Sequence, residues 1–528
     1  MKNIIIITNS VLVILACLNY KYLNIGFLSN YSIDEYAFHG SLLNMYEGLI
    51  TLDIKKLFSF DFYSYGFCFF FLNLLAVIPF IASDNIEMSI YIPRIITSLF
   101  AVGSIWYIYK IAKLHVNVYS SILVSVIVLT MPGFWKNAMW FHPDWMMTFF
   151  IVLTIYFFQK DNWDFKKYFW WASIALGFSF ATKVQAITFM PFVFVYVFFD
   201  NIKDKNFENF SKRIKLMFKF ICLTLLLFIV ANPYLLHPTG LKAFMSSFTK
   251  NMNSNATNHG SYIKTTIADK ISNAIDLYYL NTFVFYGFIL IAFYLIFILF
   301  KRESKKTIIP IVGIYFLVNI IYLFVMVNKD WQHYYLSIFT VVPLILIALI
   351  LQFNKYKYAF MIALVSCQIG THVLQYKKTL KVGYNPEKEM SVEMQKEVSD
   401  VLIKDLKSSV NAKSNIIISS YQPFDYISLG LNYKNINVLY EPISLDMFQL
   451  DSFLEKSMTK DRSKFKKIDF IVLSKGDVYF DKEKLKTKVN KEEYNKSLQI
   501  INNFNKNGDL GYEKFSENKY FYIWKRKV

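Results

Sequence analysis

Cysteine is nearly missing from this 528-residue chain, and the four present, Cys17, Cys68, Cys222 and Cys367, all fall inside apolar runs. Residues so placed cannot form a disulfide framework, and no Cys/His spacing resembles a zinc site. Burial as small hydrophobic side chains is the expected role of all four. A cleavage site is also missing. Met1 to Tyr20 imitates a signal peptide, and Ile14-Leu15-Ala16-Cys17 faintly imitates a lipobox, but no small-x-small step follows. An uncleaved first transmembrane helix is therefore expected. No internal repeat stands out. No single basic stripe accounts for the net charge of +19, so a nucleic-acid partner is not expected. Of the 57 Lys and Arg, 28 lie beyond residue 376 beside 21 acids, an ordinary mixed surface.

What the chain has in excess is apolar and aromatic residues, at 55% and 19%. Runs long enough to span a bilayer, about 17–25 residues each, occur near 4–22, 89–109, 117–134, 144–158, 168–182, 184–200, 216–235, 278–300, 307–327, 334–352 and 358–376. Residues 66–83 make a twelfth candidate, and charge decides its place. If it lies at the interface, 18 of the 29 basic residues before 377 fall in short connections on one side, as the positive-inside rule requires. Eleven spans follow, with the N-terminus cytoplasmic. Residues 23–88, 135–143, 236–277, 328–333 and the tail then face outward.

The tail changes character at 377. Short apolar runs at Asn415–Ile418, Ile436–Leu439 and Phe470–Leu473 read as strands, and Val392–Leu406 and Lys482–Ile500 favour helix. The expected fold is a mainly α polytopic membrane protein, residues 1–376, followed by a soluble α/β domain outside the membrane, residues 377–528. The tail has no glycine-rich turns, which argues against a nucleotide-binding domain.

Charged residues near the outer ends of the spans are the chemical signal. Asp34 and Glu35 sit in Ser-Ile-Asp-Glu-Tyr after the first span, and one or both could accept a proton from an attacking hydroxyl. Arg94 opens a span, Asp144 follows His142-Pro143, Lys183 lies between two spans, and His333-Tyr334 begins another. Each also has a plain structural reading. Asp34 and Glu35 could be a solvated loop pair, Arg94 and Lys183 could snorkel to headgroups, Asp144 could cap a helix, and His333 could be a satisfied interface histidine. Trp135, Trp140, Trp145 and Trp331 fit an aromatic belt better than a sugar platform.

The order of these elements resembles the GT-C membrane glycosyltransferases, within them the superfamily of protein O-mannosyltransferases and lipid A aminoarabinose transferases. The resemblance rests on the Asp-Glu loop after the first helix and on Ile92-Pro93-Arg94-Ile95-Ile96-Thr97-Ser98-Leu99. It continues in His142-Pro143-Asp144-Trp145-Met146-Met147-Thr148-Phe149-Phe150, in Gly177-Phe178-Ser179-Phe180-Ala181-Thr182-Lys183, and in His333-Tyr334-Tyr335 with Pro343. It covers roughly residues 1–376. Where aminoarabinose transferases carry Glu-Lys-Pro, this chain has Asp61-Phe62-Tyr63, so a phosphate-holding lysine is missing there.

The resemblance implies transfer of a sugar from a polyprenyl-phosphate donor to a lipid, glycan or protein acceptor. Transfer would occur with inversion, on the outer face of the cell (inner) membrane. Asp34 is then the candidate base, with Glu35 and Asp144 beside it. Arg94, Lys183, His333 and Tyr334 are the candidate donor-binding residues. A monophosphate leaving group can be stabilised by fixed cations, so no metal or other cofactor is expected. The competing readings are a polyprenyl-diphosphate-dependent ligase or oligosaccharyltransferase, and a transporter of lipid-linked glycans. The second would favour internal repeats and mid-helix charges.

Overall fold

The computed structural model describes residues 2–21, 33–60, 62–83, 85–204, 209–257, 266–279, 281–299, 307–328, 331–352, 357–374, 392–407, 414, 416–419, 436–439, 469–474 and 512–527. The first helix and Asp34–Val382 belong to one compact unit, and the described residues after Gly383 to another.

The first unit is helical. Five described helices are long and apolar enough to cross a membrane: Lys2–Lys21, Ile86–Lys113, Thr282–Leu299, Ile309–Met326 and His333–Leu351. Val118–Leu129 and Pro132–Ala138, bent by 67°, make a sixth if counted as one span. By length and composition the described residues do not confirm the expected count of eleven, and the reasons are physical. Lys167–Thr182 has 16 residues, about 24 Å at 1.5 Å per residue, short of a ~30 Å hydrocarbon core. Asp144–Asp161 carries charge in its first and last turns, and Phe210–Val230 carries Lys212, Arg213, Lys215 and Lys219. Phe67–Ala82 is likewise a short apolar helix.

Small and hydroxyl residues set the helix packing. Lys167–Thr182 lies against both Asp144–Asp161 and Phe210–Val230. Its Ser173 hydroxyl bonds the Phe220 carbonyl at 2.9 Å, and a Cβ on Gly177 would stand 2.6 Å from the Leu227 side chain. A separate aromatic core gathers around Phe38, which meets Phe62, Tyr65, Phe70 and Phe141 edge-on at centroid distances of 4.8, 5.3, 5.4 and 5.8 Å. Much of the aromatic excess is spent here, where edge-to-face pairs add to area burial.

At the far end of Asp144–Asp161 the chain turns through Asn162, Trp163 and Phe165, all with positive φ. Such backbone costs about 1–3 kcal/mol per residue. The buried Asp161 offsets it. Its carboxylate accepts N–H bonds from Phe165, Lys166 and Phe169 at 3.1, 3.1 and 3.2 Å, and the Tyr196 hydroxyl at 2.7 Å. Buried Lys270 plays the converse part, donating to the carbonyls of Leu323, Phe324 and Val327, where a helix leaves acceptors unpaired.

The cysteine expectation is corrected. Cys17, Cys222 and Cys367 are exposed on the protein surface and Cys68 is half-buried. Each lies on an apolar helix, and periodicity alone does not say which face turns inward.

The second unit is a five-stranded sheet, order β2-β1-β3-β5-β4, with β1 Ile416–Ser419, β2 Ile436–Leu439, β3 Phe470–Ser474, β4 Tyr512–Glu517 and β5 Phe521–Arg526. The first three strands are parallel and the last two antiparallel. The Val392–Lys407 helix supplies Val398, Leu402 and Leu406 to a core with Ile416, Phe470, Val472, Phe521 and Ile523. The four-residue spacing puts those three side chains on one helix face. Residues 482–500 lie outside the described residues.

Candidate active site

Lys183 is placed by backbone, not by its own side chain. The Lys167–Thr182 helix ends at Thr182, and Lys183 takes extended φ/ψ of −156° and 127°. It forms an antiparallel bridge with Tyr65, with Gly66 N–H on Thr182 O at 2.9 Å and Val184 N–H on Ser64 O at 3.3 Å. Gly66 makes this approach possible, because a Cβ there would sit 1.4 Å from the Ala181 carbonyl oxygen. Buried Asn232 braces the corner, accepting from Phe67 N–H at 2.7 Å and donating to Phe228 O at 2.9 Å.

The Lys183 ammonium, thus delivered, donates to Asp144 Oδ1 at 2.8 Å. It also lies 5.2 and 5.3 Å from the ring centroids of Tyr65 and Tyr334. A desolvated cation between two aromatic faces gains about 0.5–2 kcal/mol from the rings. Lys183 is 5% exposed, so it does not snorkel outward. Asp144 is the first residue of its helix, while Pro143 holds the N-cap position and makes no side-chain cap. Its carboxylate is engaged instead by Lys183 and, through Oδ2, by His142 Nδ1.

His142 lies 4.6 Å from His333 between ring centroids, and Trp140 stacks on His142 at 5.3 Å. One nitrogen from each histidine and one Asp144 oxygen all lie within 4.8 Å of one another. This trio has the donor types that bind a divalent metal. Tyr334, half-buried, donates its hydroxyl to Asn255 Oδ1 at 3.1 Å. Trp140 and Trp145 are 6% and 1% exposed, so neither serves an outer aromatic belt, whereas Trp331 is 44% exposed.

The second part of the site is a buried ion pair. Arg94, inside the Ile86–Lys113 helix, donates from Nε to Glu35 Oε1 and from Nη2 to Glu35 Oε2, both at 2.7 Å. The Phe141 N–H adds a third bond to Glu35 Oε1 at 2.9 Å. Glu35 is fully buried, and neither residue behaves as a solvated loop group or a headgroup anchor. Asp34 lies in the first turn of the Ile33–Ile50 helix, and its side chain lies outside the described residues. Segment 140–144 touches both parts, Phe141 holding Glu35 and His142 holding Asp144.

Residues 69–236 match the family model of dolichyl-phosphate-mannose-protein mannosyltransferases. That segment, about a third of the chain, is similar to a family of membrane glycosyltransferases. Arg94, His142, Asp144 and Lys183 fall inside the matched segment, with Asp34, Glu35, His333 and Tyr334 outside it. No curated protein matches the sequence. Among solved structures, the fold is similar to ArnT from Cupriavidus metallidurans. The apo form gives a TM-score of 0.53 at 8% identity over 92% of each chain. The form bound to undecaprenyl phosphate gives 0.54 at 9% identity over 98% of this chain and 97% of that one. The oligosaccharyltransferase AglB from Archaeoglobus fulgidus, in complex with an inhibitory peptide and a dolichol-phosphate, gives 0.52 at 13% identity over 88% of this chain and 69% of that one. At such identities the likeness establishes a shared fold.

Sequence reasoning missed two participants. His142 lies in the His-Pro-Asp motif, but nothing local signals that His333 faces it. Gly66 was invisible as a site residue, since its part is to leave room for a carbonyl.

Proposed function

We propose that this chain transfers a sugar from a polyprenyl-phosphate donor to a lipid, glycan or protein acceptor, with inversion, on the outer face of the cell membrane. The observation that carries the reading is the Lys183 ammonium, fixed by Asp144 and two tyrosine rings within the segment that matches the mannosyltransferase family. The ArnT complex with undecaprenyl phosphate, alike over nearly the whole chain, supports the donor class. Residues 1–376 would form the catalytic domain and 377–528 an extracytoplasmic domain.

In this reading the acceptor hydroxyl loses its proton to Asp34 as it attacks the anomeric carbon. The C1–O bond to phosphate breaks on the opposite side, and charge grows on the departing polyprenyl phosphate. Preorganised cations facing that charge stabilise the transition state without reorganising. Lys183 serves there, with the Tyr334 ring beside it and His333 against His142. Arg94 and Glu35 satisfy one another, so they act by positioning Asp34 and segment 140–144. Asp144 keeps Lys183 oriented.

A second reading is an oligosaccharyltransferase or ligase, the first of which the fold likeness to AglB keeps in view, with a diphosphate-linked donor as the case to separate. Purified protein given short-chain polyprenyl monophosphate and diphosphate sugars separates the two. Transfer from the monophosphate with inverted anomeric configuration, read by NMR of the product, is expected. Transfer from the diphosphate alone would defeat the monophosphate reading.

A further inference from the structure

We infer that His142, Asp144 and His333 form a divalent-cation site that shares the Asp144 carboxylate with Lys183. Three observations carry it. The three residues are 2%, 2% and 5% exposed, so their polar atoms are withdrawn from bulk water. Their potential ligand atoms already lie within 4.8 Å of one another. Ligands at the ~2.0–2.2 Å distances of zinc stand about 3.3 Å apart in a tetrahedron. To admit an ion, His142 Nδ1 and Asp144 Oδ2, now in contact, part while the His333 nitrogen closes in, movements within the reach of side-chain rotation. Finally, Asp144 presents its two oxygens to different partners, Oδ1 to Lys183 and Oδ2 to His142. A cation taking the Oδ2 side leaves the lysine contact in place.

Two imidazoles and one carboxylate give three protein ligands and an open fourth position, the pattern of zinc sites that receive an exogenous ligand. Net charge says what that ligand is. A dication beside the Lys183 ammonium, against one carboxylate, leaves the cluster cationic, so the fitting fourth ligand is an anionic oxygen such as that of a phosphate monoester. This last step rests on the donor reading above, whereas the metal site itself does not.

The test uses the full chain in detergent, stripped with chelator and given Co²⁺ or Zn²⁺ with no donor or acceptor present. Metal per chain after desalting, and the visible spectrum of bound cobalt, report occupancy directly. One ion per chain with a four-coordinate cobalt spectrum is expected. His142→Gln and His333→Gln should each weaken binding by more than the ~10–100-fold typical of losing an outer-shell partner. Lys183→Met should tighten metal binding several-fold, because it removes the competing charge. Inorganic phosphate should tighten binding to the unaltered protein and do less for Lys183→Met. Substoichiometric metal, or unchanged affinity in both histidine variants, overturns the site. Weaker metal binding by Lys183→Met overturns the shared carboxylate. Since occupancy is read without turnover, failure here leaves the donor experiment to decide its own question.

Discussion

Charge at single buried atoms separates the residues that do chemistry from those that hold the fold. Lys183 and Asp161 show the contrast. Lys183 meets one carboxylate and two rings, an arrangement that leaves a cation available to an incoming anion. Lys183→Arg should therefore retain much of the transfer rate, while Lys183→Met should lose about 10²–10³-fold, the usual worth of one fixed stabilising group. Equal loss in both, measured per folded molecule, would mean that shape and not charge matters. Asp34→Asn keeps size but removes the base, and transfer should fall by about 10²–10⁴-fold with donor binding intact. Near-normal turnover would reduce Asp34 to a helix-end carboxylate. Asp161 is the opposite case, its carboxylate saturated by four donors about 26 Å along the helix from Asp144. Asp161→Ala strands several buried N–H groups at ~1–3 kcal/mol apiece. A melting temperature many degrees lower is expected, with transfer per folded molecule unchanged.

Among elements, the corner where residues 64–66 meet 181–184 decides the site. Two segments that are not neighbours in sequence form one bridge, and the lysine emerges from it. Gly66→Ala places a Cβ against a carbonyl oxygen, not against a side chain that can swing away. The backbone must separate, and Lys183 must move with it. Activity should fall as steeply as in Lys183→Met, while helix content by circular dichroism stays the same. Full activity would show that the bridge does not position Lys183. The elements that could be read from sequence are those with strong local pattern. Strands at 416–419, 436–439 and 470–474 and the helix at 392–407 sit where their apolar spacing puts them. The β4–β5 hairpin escaped notice because Tyr512–Glu517 alternates weakly, with only Tyr512 buried. Asp144, Glu35 and Arg94 were legible as ionisable residues out of place, but their partners were not. Contacts between helices obey no sequence period, so the Arg94–Glu35 ion pair and the His142–His333 ring contact appear only once the chain is folded.

At the scale of the whole molecule, the number of bilayer crossings decides which side each loop faces. Hydropathy runs and the 18 basic residues in short connections argue for eleven crossings. By length and composition only five or six described helices qualify. The two counts differ in part because Asp144–Asp161 holds charges in its end turns and Phe210–Val230 holds four in its N-terminal half. Charges at the ends of a span can reach headgroups, so they penalise a composition test more than they penalise insertion. With a cytoplasmic N-terminus, an odd number of crossings would put the C-terminal sheet outside, and an even number would put it in the cytoplasm. Exposed Cys17, Cys222 and Cys367 must first be removed, since each would react or confuse the signal. In that background a single cysteine at the exposed Glu513 of β4 should be labelled by a membrane-impermeant maleimide in intact spheroplasts. One at exposed Lys113, which ends the Ile86–Lys113 helix, should react only after lysis. Protection of the β4 probe until lysis would reverse the orientation and move the proposed transfer to the cytoplasmic face.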